Sequence, residues 1–264
     1  MPLPPAAGDR FRMASMTRPE VDEALGRARV VVIPTGSCEQ HGPALALETD
    51  TVRAEALAVK LADRLAPDLL VAPSVPLGVS EHHMGFAGTL TLSPATFVQV
   101  IFEMIESLYR HGWRRVFILN GHGGNDAALG VLSTRVMREL PDMLLAWSGI
   151  SPLVADVSSE RAKSTLRGHS CEIETSQTMY LSPASVRSEH LRPGTSDRSQ
   201  LQGRAALSRS NRAIHMALPY DQVTPTGALG DGTAASVELG EVLIETATER
   251  LAAFLTRFAA ETIV

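Results

Sequence analysis

Short apolar runs alternate along the chain with longer segments in which apolar residues recur every three or four positions. The short runs have the length and β-branched content of buried strands, whereas the longer segments have the spacing of amphipathic helices. The predicted strands cover residues 29–36, 69–78, 114–120 and 142–149. The predicted helices cover residues 18–28, 49–67, 93–112, 126–140, 172–182 and 233–261.

This order of strands and helices determines the expected fold. Strands separated by helices pair in parallel, and a parallel sheet needs helices over both of its faces. We therefore predict an α/β protein, a three-layer α/β/α sandwich with a mostly parallel central sheet. No linker or repeat interrupts the chain, which favours one domain over residues 1–264 with a flexible segment at residues 1–17.

Residues 187–232 break the alternation, because they are rich in Ser, Arg, Gly and Pro and carry no clear periodicity. A long structureless stretch inside a compact domain is usually functional or lies at a subunit contact. We expect an irregular excursion there that forms a lid or contacts between subunits.

Composition narrows the classes of partner. Of the 264 residues, 44% are hydrophobic, the net charge is -5, and the basic residues form no stripe, so a nucleic-acid partner is not expected. No apolar run approaches the ~18 residues of a membrane span, and Asp9, Arg10 and Arg12 interrupt any secretory signal. The two cysteines, Cys38 and Cys171, form no disulfide framework. These features predict a cytoplasmic protein with no membrane partner.

Polar clusters follow the predicted strands at the point where each strand ends. They cover residues 37–50, 80–89 and 120–125, and a fourth at residues 168–175 opens the helix after the last strand. The carboxyl ends of parallel strands share one edge of a sheet, where ligands bind in α/β proteins. The clusters are therefore expected to meet in one site.

The residue types in these clusters are those of metal ligands. Glu39 and His41 lie two positions apart on an extended segment and can point to the same side, and Asp50 begins the next helix. His122 lies between glycines. Carboxylates and imidazoles suit Zn²⁺ or Mn²⁺, with Fe²⁺ as a third option. Because the ligands outnumber those of one tetrahedral ion, we expect two divalent ions that share a carboxylate and hold a bridging hydroxide.

Other histidines and one cysteine admit different interpretations. His82 and His83 are neighbours, of which one is expected to face inward and one outward. Cys38 could act as a nucleophile activated by His41, which is the rival enzymatic hypothesis. Three further histidines lie in helix-end or irregular segments and are expected at the surface: His111, His190 and His215.

Five motifs together resemble the creatininase (creatinine amidohydrolase) family. They are "GSCEQHGPALALETDT", "EHHMGFAGTLTLS", "NGHGGN", "GHSCEIETS" and "GALGDGTAAS", in the order of the family and over roughly residues 30 to 240. The resemblance implies a three-layer α/β fold, two divalent metals and hydrolysis of C–N bonds. It also implies a homo-oligomer, with a hexamer favoured.

The resemblance also implies how the metal ligands are shared. Glu39, Asp50 and His122 would bind one metal ion. His41 and Asp50 would bind the second, with Asp50 as the bridge. The remaining second-metal ligand of creatininase is a glutamate, and its position is occupied here by Gly124.

Residues 169–174 offer the missing groups. Glu174 is the preferred replacement ligand, because its "ET" pair matches the family, whereas Glu172 would serve as a catalytic base or support a ligand. His169 matches the family histidine that carries a proton near the leaving nitrogen. The resemblance thus implies His169 and Glu172 as catalytic residues.

Departures from creatininase bear on the substrate. Residues 158–170 contain no tryptophan, Gly123 replaces a tyrosine, and Trp147 lies in a predicted strand as an expected core residue. Creatinine is therefore not the expected substrate.

The sequence predicts a metal-dependent amidohydrolase that cleaves a C–N bond of a small cyclic or linear amide. The alternatives are a peptidase of the mycofactocin type, another ring hydrolase of the family, and a non-catalytic metal-binding scaffold.

Overall fold

The computed structural model describes residues 9–211 and 214–263. Four strands pair in parallel in the order β2-β1-β3-β4: β1 (Val30–Thr35), β2 (Leu69–Val71), β3 (Arg115–Asn120) and β4 (Leu144–Gly149). The helices are α1 (Arg18–Leu25), α2 (Thr49–Arg64), α3 (Pro94–Arg110), α4 (Asp126–Glu139), α5 (Ala155–Arg161), α6 (Glu172–Leu181), α7 (Gly203–Ser208) and α8 (Val237–Ala260). The predicted α/β class is confirmed.

Successive side chains of the central strands pack into two different cores. Val30 and Val32 of β1 lie in a core with α2 and α8, whereas Val31 and Ile33 lie in a second core with α3 and α4. Because strand residues alternate between the faces of a sheet, a continuous apolar strand requires helices on both sides. This arrangement produces the three layers predicted from the sequence.

Helix α2 carries the residues that connect the fold to the site. Its apolar positions recur every three or four residues and are fully buried against the sheet: Ala54, Leu57, Ala58 and Leu61. This packing fixes the first turn of α2 beside the ends of β1 and β3.

The second strand is shorter than the sequence predicts. The expected strand covers residues 69–78, but β2 ends at Val71 and only an isolated bridge at Val75 resumes the pairing with Thr35. Proline has no N–H to donate to a strand ladder, and Pro73 and Pro76 flank this bridge.

The N-terminal segment also differs from the prediction where it is described. Residues 9–15 form two 3₁₀ turns, and Phe11 packs into the core of α2 and α8 instead of belonging to a flexible segment. Residues 1–8 lie outside the described part of the chain.

Two further predictions are wrong in detail. Trp147 lies in β4 but is 37% exposed, because β4 is an edge strand. The excursion at 187–232 is largely irregular but contains α7, and its apolar residues pack with Leu166 into a small third core.

The described helices do not reach the combination of length and apolar character that crossing a bilayer requires. The single domain and the homo-oligomer stay predictions.

We predict that Leu119→Ala in β3 lowers the free energy of unfolding by about 2–5 kcal/mol, because it leaves a cavity at a fully buried site. Leu207→Ala in α7 is the control, since Leu207 is 63% exposed and its truncation should change stability by less than about 0.5 kcal/mol. Urea unfolding followed by circular dichroism measures both. Equal effects would contradict the assignment of the core.

Candidate metal centre

The structure brings the five predicted metal ligands to one edge of the sheet. Glu39 and His41 lie in the loop after β1, Asp50 lies in the first turn of α2, and His122 follows β3 directly. Glu174 lies in the first turn of α6. These residues lie far apart in the sequence, but the four segments that carry them all lie at the carboxyl ends of the strands.

Asp50 occupies the middle of this group. His122 Nδ1 lies 3.2 Å from Glu39 Oε1 and 3.2 Å from Asp50 Oδ2. On the other side of Asp50, His41 Nε2 lies 3.3 Å from Asp50 Oδ1 and 3.7 Å from Glu174 Oε2. The two oxygens of Asp50 therefore face two different histidines, as a bridging carboxylate requires.

Hydrogen bonds from the far side of each ring set the orientation of the two histidines. His122 Nε2 donates to the Val79 carbonyl oxygen at 3.1 Å, and His41 Nδ1 donates to the Glu39 carbonyl oxygen at 3.1 Å. Such bonds leave the opposite nitrogen for a metal ion. His122 Nδ1 and His41 Nε2 consequently face the carboxylates.

The electrostatics of the centre are those of a cation site. Burial raises the pKa of Glu39, but the positive charge of His122 outweighs it, and that pKa is lowered to about 2. Burial lowers the pKa of His41, but Asp50 and Glu174 raise it to about 9. Glu39 thus stays anionic, as does Asp50, whose pKa is lowered by the charges of His41 and His122 against the effect of burial.

Two buried oxygens show that the residues fit a divalent ion. Glu39 Oε1 and Asp50 Oδ2 have no hydrogen-bond partner among the described residues. A buried carboxylate oxygen without a partner is costly, and a bound cation removes that cost. Ligand atoms of Glu39, His41 and Asp50 also lie within 4.8 Å of one another. Oxygen and imidazole donors suit Zn²⁺ and Mn²⁺.

Arg53 is a residue of the site that the sequence analysis missed. Its guanidinium is buried, and Nη2 donates to Asp50 Oδ1 at 2.9 Å and to Glu174 Oε1 at 2.6 Å. Nη1 donates to Gln177 Oε1 at 2.8 Å. Its position three residues after Asp50, on the same face of a helix, was the signal available in the sequence.

Gly121 permits the approach of α2 to the end of β3. A Cβ at this position would lie 2.1 Å from the Asp50 carbonyl oxygen, a distance that no side chain tolerates. The glycine therefore allows the first turn of α2, with Asp50, to pack against the carboxyl ends of the paired strands β1 and β3.

His169 reaches the same cluster from the opposite side. Its Nε2 donates to the Gln40 carbonyl oxygen at 2.5 Å, which turns Nδ1 to within 3.6 Å of Glu39 Oε1 and 3.9 Å of Glu174 Oε2. The next residue, Ser170, has a left-handed backbone (φ 55°) and donates from its backbone N to Glu174 Oε2 at 2.6 Å. Such strain in a non-glycine residue is frequent at functional sites.

His83 and Tyr220 form a wall of the site. His83 is buried, and its Nδ1 accepts a hydrogen bond from Gln40 Nε2 at 2.8 Å. Its ring lies 4.3 Å from the rings of His169 and Tyr220. His82 is half-buried and also lines the cavity, so both neighbours face the site, and the expectation that one faces outward is wrong. The histidines expected at the surface are exposed: His111, His190 and His215.

Glu172 is not brought to the centre. Its carboxylate accepts hydrogen bonds from the backbone N of Lys163 (3.0 Å) and of Ser164 (2.9 Å), and it belongs to no group of adjacent metal-ligating atoms in the described chain. Its geometry is that of a residue that holds the loop before α6, which does not agree with the expected catalytic role. Of the two glutamates, the structure favours Glu174 as the ligand.

The geometry also disfavours the rival nucleophile. Cys38 Sγ contacts the Gly88 carbonyl oxygen at 3.8 Å, and burial raises the pKa of its thiol. Both ring nitrogens of His41 are engaged by Glu39 and Asp50. His41 is therefore not available as a base for Cys38.

Gly124 lies where the resemblance places a metal-binding glutamate. A Cβ there would meet the Val79 carbonyl oxygen at 2.4 Å and His82 Cε1 at 2.9 Å. The space for a side chain is thus occupied by the His82 ring and the Val79 backbone. This close packing explains why the carboxylate must come from another segment.

The fold and this cluster define an α/β protein with a candidate binuclear metal centre at the carboxyl ends of its strands. The family model described as creatinine amidohydrolase matches residues 14–255. The chain therefore belongs to the creatininase family.

Individual relatives differ in their activities. The chain is 37% identical over 218 residues to the mycofactocin precursor peptide peptidase of Mycobacterium tuberculosis, which covers 80% of this chain and 78% of that protein. It is 32% identical over 116 residues to the creatinine amidohydrolase of Pseudomonas putida, or 42% of this chain and 44% of that protein. A creatininase crystal structure superposes with a TM-score of 0.81 at 22% identity over 96% of this chain and 99% of that chain, which shows the shared fold.

We predict that Arg53→Met lowers the free energy of unfolding of the metal-free protein by about 3–5 kcal/mol, because it leaves the buried Asp50 and the largely buried Glu174 without their cation. Arg250→Met is the control, since it removes an exposed ion pair with Asp156 and an exposed hydrogen bond to the Leu153 carbonyl oxygen, and it should cost no more than about 1 kcal/mol. Urea unfolding in the presence of a chelator measures both. A small loss for Arg53→Met would contradict its compensating role.

We also predict that Gly124→Ala lowers the amount of metal retained after gel filtration, since the added methyl group displaces His82 or the backbone next to His122. The matched control is Gly130→Ala in α4, where an added Cβ meets no atom within 4 Å. That substitution should keep the metal and raise stability by up to about 1 kcal/mol. Elemental analysis and thermal unfolding distinguish them, and unchanged metal in Gly124→Ala would refute the packing argument.

Proposed function

We propose that the protein is a hydrolase that cleaves an amide C–N bond of a peptide, with two divalent metal ions at its centre. The ligands we assign are Glu39, Asp50 and His122 for one ion, and His41, Asp50 and Glu174 for the other. The observation that carries the proposal is a pair of buried oxygens, Glu39 Oε1 and Asp50 Oδ2, beside two oriented imidazoles. Neither oxygen has a hydrogen-bond partner within residues 9–211 and 214–263.

The chemistry of such a centre suits amide hydrolysis. Divalent ions, when bound, lower the pKa of water and polarise a carbonyl group. Arg53 and Ser170 hold Asp50 and Glu174 in place by hydrogen bonds, so that the ligand geometry exists before substrate arrives. Preorganised groups lose no free energy to rearrangement during the reaction.

His169 is the residue that we assign to proton transfer. Its Nε2–H is held by the Gln40 carbonyl oxygen, so the lone pair of Nδ1 is free to accept a proton at the cluster and to return it to the leaving nitrogen. General acid–base catalysis of this kind contributes typically about 10²–10⁴ in rate.

A peptide fits the surroundings of the centre better than a small ring. The cavity at the metal ligands has a volume of about 270 Å³. It shares His82 and Tyr220 with a second cavity of about 500 Å³, which leaves room for an extended substrate. Neither Trp113 nor Trp147 lines the cavity at the ligands, so no tryptophan of the described chain covers a planar ring there. The peptidase of M. tuberculosis supports the same substrate class.

Three alternative functions predict other outcomes when the protein is assayed against peptides, small amides and cyclic ketones. A small cyclic or linear amide substrate predicts turnover of small amides and no cleavage of peptides. A ring-hydrolase function predicts turnover of cyclic ketones alone. One relative, the 3-dehydro-scyllo-inosose hydrolase of Thermotoga maritima, has a name that indicates such a substrate for that protein. A scaffold predicts metal binding without turnover of any of these compounds.

We predict that Glu39→Gln and His122→Ala each lose metal and at least ~10²-fold of the peptide hydrolase activity, because each removes a ligand atom. His111→Ala is the matched control, since His111 is exposed and lies in the turn after α3. Elemental analysis gives the metal content, and mass spectrometry of a peptide library gives the cleavage. Full metal content together with full activity in both variants would overturn the ligand assignment.

A further inference from the structure

The second cavity is lined by basic residues that have no role in the proposed hydrolysis. It is bounded by the loop before α6, by the segment around α7 and by Tyr220. Three arginines line it: Arg167, Arg198 and Arg209. No aspartate or glutamate of the described chain belongs to its lining.

The arginines have few partners of opposite charge. Arg167 also lines a neighbouring cavity with Ser158, whose carbonyl oxygen accepts a hydrogen bond from Arg167 Nη1 at 2.5 Å. Arg198 Nη1 donates to the Arg209 carbonyl oxygen at 2.6 Å. Within residues 9–211 and 214–263, none of the three guanidinium groups forms an ion pair with a carboxylate. Three arginines and no acidic residue of the described chain thus line one cavity of a protein whose net charge is -5.

Tyr220 connects this cavity to the metal centre. It lines both cavities, and its ring lies 4.3 Å from His83 and 5.4 Å from His169. Burial raises the pKa of its hydroxyl to about 12, while the charge of Arg209 acts in the opposite direction. A substrate that extends past Tyr220 therefore passes from the metal ligands to the arginines.

We propose that this cavity binds a carboxylate of the substrate while the amide bond to be cleaved lies at the metal centre. Guanidinium groups bind carboxylates through paired, charge-assisted hydrogen bonds, which makes arginine the preferred residue for such a site. Apolar residues line the same cavity, among them Leu166, Leu218 and Val223, so the carboxylate is expected next to an apolar side chain. The proposal rests on the proposed function and adds the class of substrate, an anionic peptide.

A binding experiment tests the cavity without any turnover. The probes are 4-methylpentanoate and 4-methylpentanol, which share the apolar part, contain no amide bond and differ in the carboxylate. Isothermal titration of the metal-loaded protein should give an affinity for the acid that is at least about tenfold higher, the value of one charged hydrogen bond.

The arginine variants separate the cavity from the metal ions. Arg198→Gln and Arg167→Lys should each weaken binding of the acid about fivefold or more and leave binding of the alcohol unchanged. Arg204→Gln is the matched control, since Arg204 lies on α7, is exposed and does not line the cavity. Equal binding of acid and alcohol overturns the proposal, as does binding of the acid that no arginine variant weakens.

Peptide hydrolysis then identifies which carboxylate is bound. We compare acetyl-Ala-Leu-Leu as the free acid, the same peptide as its carboxamide, and acetyl-Ala-Glu-Leu as its carboxamide. A preference for the free acid that Arg198→Gln removes supports a terminal carboxylate, and a preference for the Glu peptide supports a side-chain carboxylate. Hydrolysis of all three peptides at equal rates overturns the proposed carboxylate site but still agrees with the proposed hydrolase function. Arginine-dependent binding without any hydrolysis overturns only the proposed function.

Discussion

Three carboxylates at one edge of the sheet, two of them fully buried and the third largely buried, impose the constraint on which the rest of the site depends. Placing Glu39, Asp50 and Glu174 together in a low-dielectric interior costs several kcal/mol for each charge unless cations compensate them. Arg53 forms ion pairs with Asp50 and Glu174. The imidazole of His41 lies beside Asp50, and the imidazole of His122 lies beside Glu39. Because two carboxylate oxygens still lack partners within the described part of the chain, the cluster has the donor set of a candidate site for divalent cations.

The fold satisfies this constraint through the packing of α2. The helix buries one apolar face against the sheet, and Gly121 lets its first turn approach the end of β3. The same helix supplies Asp50 and, one turn later, the Arg53 that neutralises it. Stability of the core and geometry of the centre are therefore coupled, and the side chains of the cluster are held together by the packed elements of the fold.

The sequence predicted what depends on periodicity and spacing. Alternating apolar runs predicted the three layers, and polar residues at strand ends predicted the meeting of Glu39, His41 and His122. The spacing of three residues put Arg53 on the same helix face as Asp50 but did not show that its guanidinium is buried, because a polar residue in an amphipathic helix is normally solvent-exposed and only tertiary packing buries it. Nor could it decide between Glu172 and Glu174, since residues two apart on a helix point in different directions and the rotation of α6 depends on the fold.

The most direct test of the account is the anomalous scattering of crystals soaked with Mn²⁺. The account predicts two peaks on either side of Asp50, one beside Glu39 and His122 and one beside His41 and Glu174. An absence of peaks at this cluster under saturating Mn²⁺, with the five side chains ordered, would contradict the claim that they form a metal centre.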